Sequence, residues 1–202
     1  MGVFAEETEK EIFPRHTITF DAGMTYATLQ ASIFSNDYDS DNNSIFLITA
    51  LQYEYQFVKQ FSLACRAEYV LLNNDNTEMT SMTIGAHARL YPKGRVFFLD
   101  GMLGYANLDS ATNGKSMPTS HFFKQGWRLG WRIDFGKPGG FVLEPSMGWY
   151  RIAGRLYTEP NTGEEGSFLY WMSNFSNSFN NYMIRNFFVG GPRVSIAVGG
   201  RF

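Results

Sequence analysis

Eight segments of the chain alternate apolar and polar residues with a period of two, and no other feature of the sequence constrains the fold as strongly. In the first, Ile18, Phe20, Ala22, Met24 and Tyr26 share one face, while Thr17, Thr19, Asp21, Gly23 and Thr25 share the other. Successive side chains of an extended strand point to opposite sides, so the pattern predicts a strand with one apolar face. Ile45 to Val58 repeats it, with Leu47, Leu51, Tyr53, Tyr55 and Phe57 opposite Gln52, Glu54 and Gln56. Phe61 to Leu72, Met82 to Leu90, Phe97 to Tyr105, Trp127 to Phe135, Phe141 to Trp149 and Val194 to Phe202 follow. Each segment runs about ten residues or more, against about five or six in soluble sheets, which suits a tilted membrane crossing. No stretch approaches the roughly 18 consecutive apolar residues that a spanning helix needs, so any span is made of strands.

The connections alternate in length. Lys59-Gln60, Pro92 to Arg95 and Gly136 to Gly140 are short, whereas the segment before Ile45, Asn73 to Ser81, Asn107 to Phe122 and Gly154 to about Arg185 are long. Transmembrane barrels place tight turns in the periplasm and long loops outside, and an even strand number returns both termini to one side. The expected architecture is therefore all-β: an eight-stranded antiparallel up-and-down transmembrane barrel over residues 16–202, with periplasmic termini and four outward loops. Residues 1–15 are expected to form a periplasmic tail outside the fold. Val3-Phe4-Ala5 before Glu6 and Glu7 reads as the remnant of a processed or re-engineered secretory start. The alternative is a native start with a disordered acidic tail up to Pro14.

A soluble up-and-down barrel would show the same period, so the chemistry of the polar face decides between water and lipid. That parity carries six acids, Asp21, Glu54, Glu68, Asp100, Asp134 and Glu144, and six arginines, Arg66, Arg89, Arg128, Arg132, Arg193 and Arg201. Glycines interleave with them, as a crowded narrow interior requires. The opposite parity holds Trp, Phe, Tyr and Leu, and no soluble monomer exposes so much contiguous apolar area. Aromatics gather at the segment ends: Phe57, Phe61, Phe97, Phe135, Phe141 and Phe202 toward the short turns, and Tyr26, Tyr69, Tyr105, Trp127 and Trp149 toward the long loops. Two lipid-facing girdles are expected, with the twelve charges forming a paired network in the lumen. Pro145 and Pro192 fall on the outward parity. Each predicts a bulge, or a last strand that pairs fully only after Pro192.

The closing sequence Val198-Gly199-Gly200-Arg201-Phe202 resembles the last strand of the OmpX and OmpW outer-membrane families, which typically ends in Val-Gly-Tyr-Arg-Phe; Gly200 stands where those families often carry an aromatic. The resemblance implies a small outer-membrane barrel across roughly residues 16 to 202, assembled by the barrel-insertion machinery through its terminal Phe202. An OmpW-like protein would pass small hydrophobic molecules through the barrel mouth and sideways to lipid, in the manner of a porin-like passive channel.

Other chemistry is sparse. A net charge of −2 with scattered Lys and Arg gives no footprint for nucleic acid, and lone Cys65 with three His offers neither a disulfide nor a zinc spacing. No cofactor or metal is expected. Ser120-His121 and His87 are the residues a lipid-modifying enzyme would recruit, but Ser120-His121 has no fixed orienting acid in view and His87 lies on the polar face beside Arg89, and a solvated loop histidine and a hydrogen-bonded lumen histidine are the plainer readings. Asp37, Asp39 and Asp41 lack the glycine and distal glutamate of an EF-hand and read as solvated loop. The last loop places Phe168, Trp171, Met172, Phe175, Phe179 and Tyr182 at helical steps, which suits an interfacial helix, a lid or a partner surface; extended strands with stacked aromatics are the alternative. The leading expectation is a non-enzymatic, monomeric barrel in outer-membrane lipid. Its aromatic fourth loop and acidic first loop would meet an extracellular partner or support envelope integrity, and a small hydrophobic ligand is the rival. Phe46, Ile48, Val70 and Met102 share the inward parity and are the residues that would line an apolar stretch.

Overall fold

The computed structural model describes residues 14–25, 45–74, 77–92, 96–112, 114–136, 139–158 and 190–202. Among them the strands are β1 (His16–Thr25), β2 (Ile45–Val58), β3 (Phe61–Asn74), β4 (Thr77–Leu90), β5 (Phe97–Thr112), β6 (Lys115–Trp131), β7 (Ile133–Phe135), β8 (Phe141–Thr158) and β9 (Gly191–Arg201). From β1 to β6 each pairs antiparallel with its chain neighbour, both β6 and β7 pair with β8, and β9 pairs with β8 and with β1. The sheet therefore closes on itself. Since β6 and β7 are two parts of one stave, the wall has eight. Closure leaves no row of unpaired amides, which in hydrocarbon would cost several kcal/mol per group.

Pro145 explains the division of that stave. Pairing runs to Gly130 opposite Ser146 and resumes at Ile133 opposite Leu143 in unchanged register. The gap falls where proline has no N–H to offer, and the Arg132 amide donates the other way, to the Val96 carbonyl at 2.5 Å. The proline thus opens the ladder without the bulge expected there. Pro192 pairs with Trp149 on the β8 side, and the described pairing of β9 with β1 runs from Arg193, opposite Thr25, the last described residue of β1, to Arg201. Whether full pairing begins only after Pro192 therefore falls outside the described residues. The register shifts that do occur lie near Val58, between Leu108 and Ser110, and between His121 and Lys124.

Boundaries at the loop end and at the N-terminus differ from those read in the sequence; β8 runs to Thr158, past the connection expected from Gly154, and β9 starts at Gly191, before Val194. The connections expected at 73–81 and 107–122 are mostly strand, because β3 runs to Asn74, β4 starts at Thr77, β5 runs to Thr112 and β6 starts at Lys115. There the inward Met79, Leu108 and Phe122 are buried, and polar cross-strand partners add to the pairing: Thr119 donates to Asp109 at 2.5 Å, and Ser81 to the Asn107 carbonyl at 2.7 Å. The barrel's hydrogen bonding also begins before residue 16, since the Arg15 carbonyl accepts from Gln56 N–H at 2.8 Å. At the turn end the last residue locks to the first strand, with His16 and Phe202 exchanging both backbone bonds at 2.9 Å.

The interior has two storeys. Toward the turns it is ionic. Toward the loops it becomes an apolar cluster of Ile48, Val70, Met79, Ala106, Leu108 and Phe122, with Leu72 and Ile152 against it.

Candidate functional site

The inward parity of each strand delivers its charged side chains to the barrel axis, where they meet partners both from adjacent staves, as Arg89 and Arg128 meet Asp100, and from non-adjacent ones, as Arg89 meets Glu54. At the turn end, Arg89 of β4 and Arg132 sit between Glu54 of β2 and Glu144 of β8. Arg89 Nη1 lies 2.8 Å from Glu54 Oε2 and 3.0 Å from Glu144 Oε2, and Arg132 Nη2 lies 2.5 Å from a carboxylate oxygen of each glutamate. Both arginines are essentially inaccessible, at 0 % and 1 %. Two rings brace them: Phe98 lies 4.3 Å from the Arg89 guanidinium carbon and Tyr91 lies 5.2 Å from that of Arg132. Tyr91 also donates its hydroxyl to Glu54 at 2.6 Å. This quartet carries two positive and two negative charges across the width of the lumen.

Above it, Asp100 of β5 accepts from Arg89 Nε at 3.0 Å and Arg128 Nη2 at 2.7 Å, and bonds His87 Nδ1 at 2.8 Å. Arg128 reaches on to Gln52 at 2.9 Å and to Asp21 at 3.3 Å, and Arg66 Nη1 meets Asp21 at 2.6 Å. The next layer centres on Glu68, whose Oε1 takes Lys124 Nζ and Arg193 Nη1 at 2.6 Å each, beside the Tyr150 ring. Arg201 stands apart at the turn-end rim. It donates to Asp134 at 3.2 Å, to Gln56 at 2.5 Å and to the Pro14 carbonyl at 3.2 Å, and the Asp134 side chain is 37 % exposed. Of the twelve charges singled out in the sequence, the structure brings ten into the buried network and places Asp134 and Arg201 at its edge.

Sequence reading missed Lys124, Tyr91 and Gln52 as members. Lys124 lies on the inward parity of β6, but the alternation is regular only from Trp127 onward, so the residue falls between the connection expected to end at Phe122 and the strand expected from Trp127. Ser120 and His121, assigned to that connection, are buried in β6, and His121 Nδ1 hydrogen-bonds and stacks with Tyr105. His121 is a wall residue and not a solvated one. His87 is the hydrogen-bonded lumen histidine.

The exterior is the reverse of the lumen. Ile18, Phe20, Leu51, Ile84, Leu99, Leu103, Met147 and Val198 are exposed around the wall. At the turn end a band of rings runs from Phe202 stacked on His16, through Tyr55, Phe57 and Phe61, and further round from Phe97 on Trp131 to Phe135 on Phe141. Tyr69, Tyr105, Trp127 and Trp149 point outward eight residues away from Phe61, Phe97, Phe135 and Phe141 along their strands. Eight residues span about 26 Å of strand, or about 20 Å of height at a tilt of about 40°, close to the ~25 Å apolar band of such barrels. Tyr26, Asp37, Asp39, Asp41 and the aromatic residues Phe168 to Tyr182 lie outside the described residues. Cys65 is exposed on the outer face. Among the described residues no group of His, Cys, Asp and Glu is placed to hold a metal ion.

An eight-stave closed barrel with an ionic lumen and an apolar, aromatic-banded exterior defines the class: a small outer-membrane β-barrel. Solved structures of that class are what the chain superposes on. Ail, the attachment invasion locus protein of Yersinia pestis, matches with a TM-score of 0.50 at 12 % identity, over 95 % of this chain and 100 % of that one. Neisserial surface protein A matches with a TM-score of 0.49 at 11 % identity, over 93 % and 95 % of the respective chains. At 12 % identity the likeness to Ail bears on the fold alone. No family model and no curated protein sequence matches the chain.

Proposed function

We propose that this protein is a non-enzymatic outer-membrane barrel whose closed lumen makes it an anchor, and that the segments at its loop end meet an extracellular partner or brace the envelope. The observation that carries this reading is the lumen itself. An eight-stranded barrel is only wide enough to be filled by side chains, and here Arg89 and Arg132 are tied to Glu54 and Glu144 from opposite walls. The acids and bases alternate, which argues against a ring of one sign selecting ions. The aromatic bands would sit at the two interfaces and Phe202 would be read by the assembly machinery, as the family resemblance implies. In planar bilayers the protein is expected to show no discrete openings, with or without residues 159–189; openings of fixed size would defeat the anchor reading. Nanodisc-embedded barrel should attach to host-cell surfaces, and removing residues 26–44 or 159–189 should abolish attachment while the barrel stays folded.

The apolar cluster around Val70 and Ala106 favours a second reading, passive entry of small hydrophobic molecules at the loop end. Proteoliposomes that take up a hydrophobic dye no faster than empty vesicles would eliminate it.

A further inference from the structure

The outer wall is not uniformly convex. A groove of about 720 Å³ crosses β3, β4, β5, β6 and β8, and its course follows one line of cross-strand partners. Trp149 pairs with Trp127, Trp127 with Gly101, Gly101 with Ala88, and Ala88 with Leu63. Counted from the turn end of each stave, Leu63 and Ala88 stand two residues up, Gly101 four, and both tryptophans eight. The groove therefore climbs obliquely from the turn-end aromatic band to the loop-end one. Between β8 and β3 it covers about 19 Å at ~4.8 Å per strand, the reach of a long acyl chain.

Its floor is shallow because side chains are missing. A Cβ built on Gly101 meets nothing within 4 Å, in contrast to Gly104 or Gly85, where it would strike the neighbouring strand. The two indoles stand side by side at its loop-end limit. The upper end is polar: Arg151 and Gln125 are cross-strand partners, both exposed, two residues beyond Trp149 and Trp127 toward the loops. Arg151 has no ion pair or hydrogen bond among the described residues, unlike the buried arginines of the lumen. A cation on the lipid face costs about 2–4 kcal/mol at the bilayer midplane and about 0–1 near an interface. At this height its guanidinium lies level with headgroups, and a guanidinium grips phosphate through paired N–H donors.

We propose that this groove is a binding site for a phosphorylated lipid of the leaflet at the loop end, with the phosphate on Arg151 and Gln125 and one acyl chain laid over Gly101 and Ala88. The site lies on the outer wall and is independent of whether the lumen conducts. It needs only that the barrel sits in a bilayer.

Native mass spectrometry of the full chain, released from nanodiscs of phosphatidylcholine containing lipid A, tests it. Wild-type barrel should retain one lipid A. Arg151→Gln should lower retention about tenfold, the loss of one charge-assisted contact. Gly101→Leu should do the same by filling the groove, and Val194→Leu on the opposite wall should retain lipid as wild type does. Heat-modifiable electrophoretic mobility confirms folding, and Ala88→Leu replaces Gly101→Leu if that variant misfolds. Equal retention by all variants, equal retention of dephosphorylated lipid A, or no retained lipid A would each overturn the proposal. So would a wild-type dimer that Gly101→Leu dissociates, since the occupant would then be a second copy of the chain.

Discussion

Removing the positive charge of Arg132 tests the lumen quartet most directly. In the native barrel the two arginines and two glutamates cancel. Arg132→Met leaves Glu54 and Glu144 sharing Arg89 alone, at 2.8 and 3.0 Å, so the quartet carries a net charge of −1 in a space closed to bulk water. Arg89 is also shared with Asp100 at 3.0 Å, so it cannot compensate fully. Breaking a buried pair by deleting one partner costs about 3–5 kcal/mol, whereas replacing both by neutral groups is often close to neutral. Glu144→Gln alone gives the mirror imbalance, +1, with a cost of the same order. Combined, Arg132→Met and Glu144→Gln leave Arg89 facing Glu54 and a quartet that is neutral again. The double variant should therefore be more stable than the sum of the two singles implies, by about 2–3 kcal/mol. Urea unfolding in lipid vesicles, followed by tryptophan fluorescence, reads these differences. With a slope of about 2 kcal/mol per molar, Arg132→Met should lower the midpoint by about 2 M. A shift of less than about 0.5 kcal/mol for Arg132→Met, the range of an inconsequential surface change, or simple additivity of the two substitutions, would refute the paired quartet.

Three further outcomes follow from the wall. A Cβ on Gly199 would lie 1.9 Å from the Ile18 carbonyl oxygen and 2.8 Å from Thr19 Cα, so Gly199→Val should cost more than about 3 kcal/mol or prevent folding, seen as loss of the heat-modifiable band. Ile84 is half exposed and six residues from the turn end of β4; Ile84→Arg should cost about 2–4 kcal/mol in vesicle refolding, and a neutral result would mean that this face does not meet lipid. Pro145→Ala restores an N–H opposite Trp131 where the register is already continuous. It should stabilise the barrel by about 0.5–1.5 kcal/mol and give a slowly exchanging amide at position 145, and unchanged unfolding with rapid exchange there would show that the gap has another cause.

The identity of the two faces was legible from residue order alone, because a period of two is a local property: Leu129 and Trp131 point one way and Arg128 and Arg132 the other regardless of what lies across the strand. The family-like ending at Phe202 and the need for closure followed from the same local reading. The interruption at Pro145 was partly visible. Proline announced a lost donor, but only a register that continues past Arg132 distinguishes a gap from a bulge.

What the residue order determined, then, is which side of each stave meets lipid and that acids and bases converge on an axis. Tertiary structure alone decided who pairs with whom, how far β5 and β6 rise above the apolar band, and that Lys124 joins Glu68. Those outcomes depend on the relative shear of staves distant in sequence. Arg89 and Glu54 belong to non-adjacent strands, and Glu144 comes from the far wall. Alternation fixes a direction for every side chain but not a height, and a salt bridge across a lumen requires both.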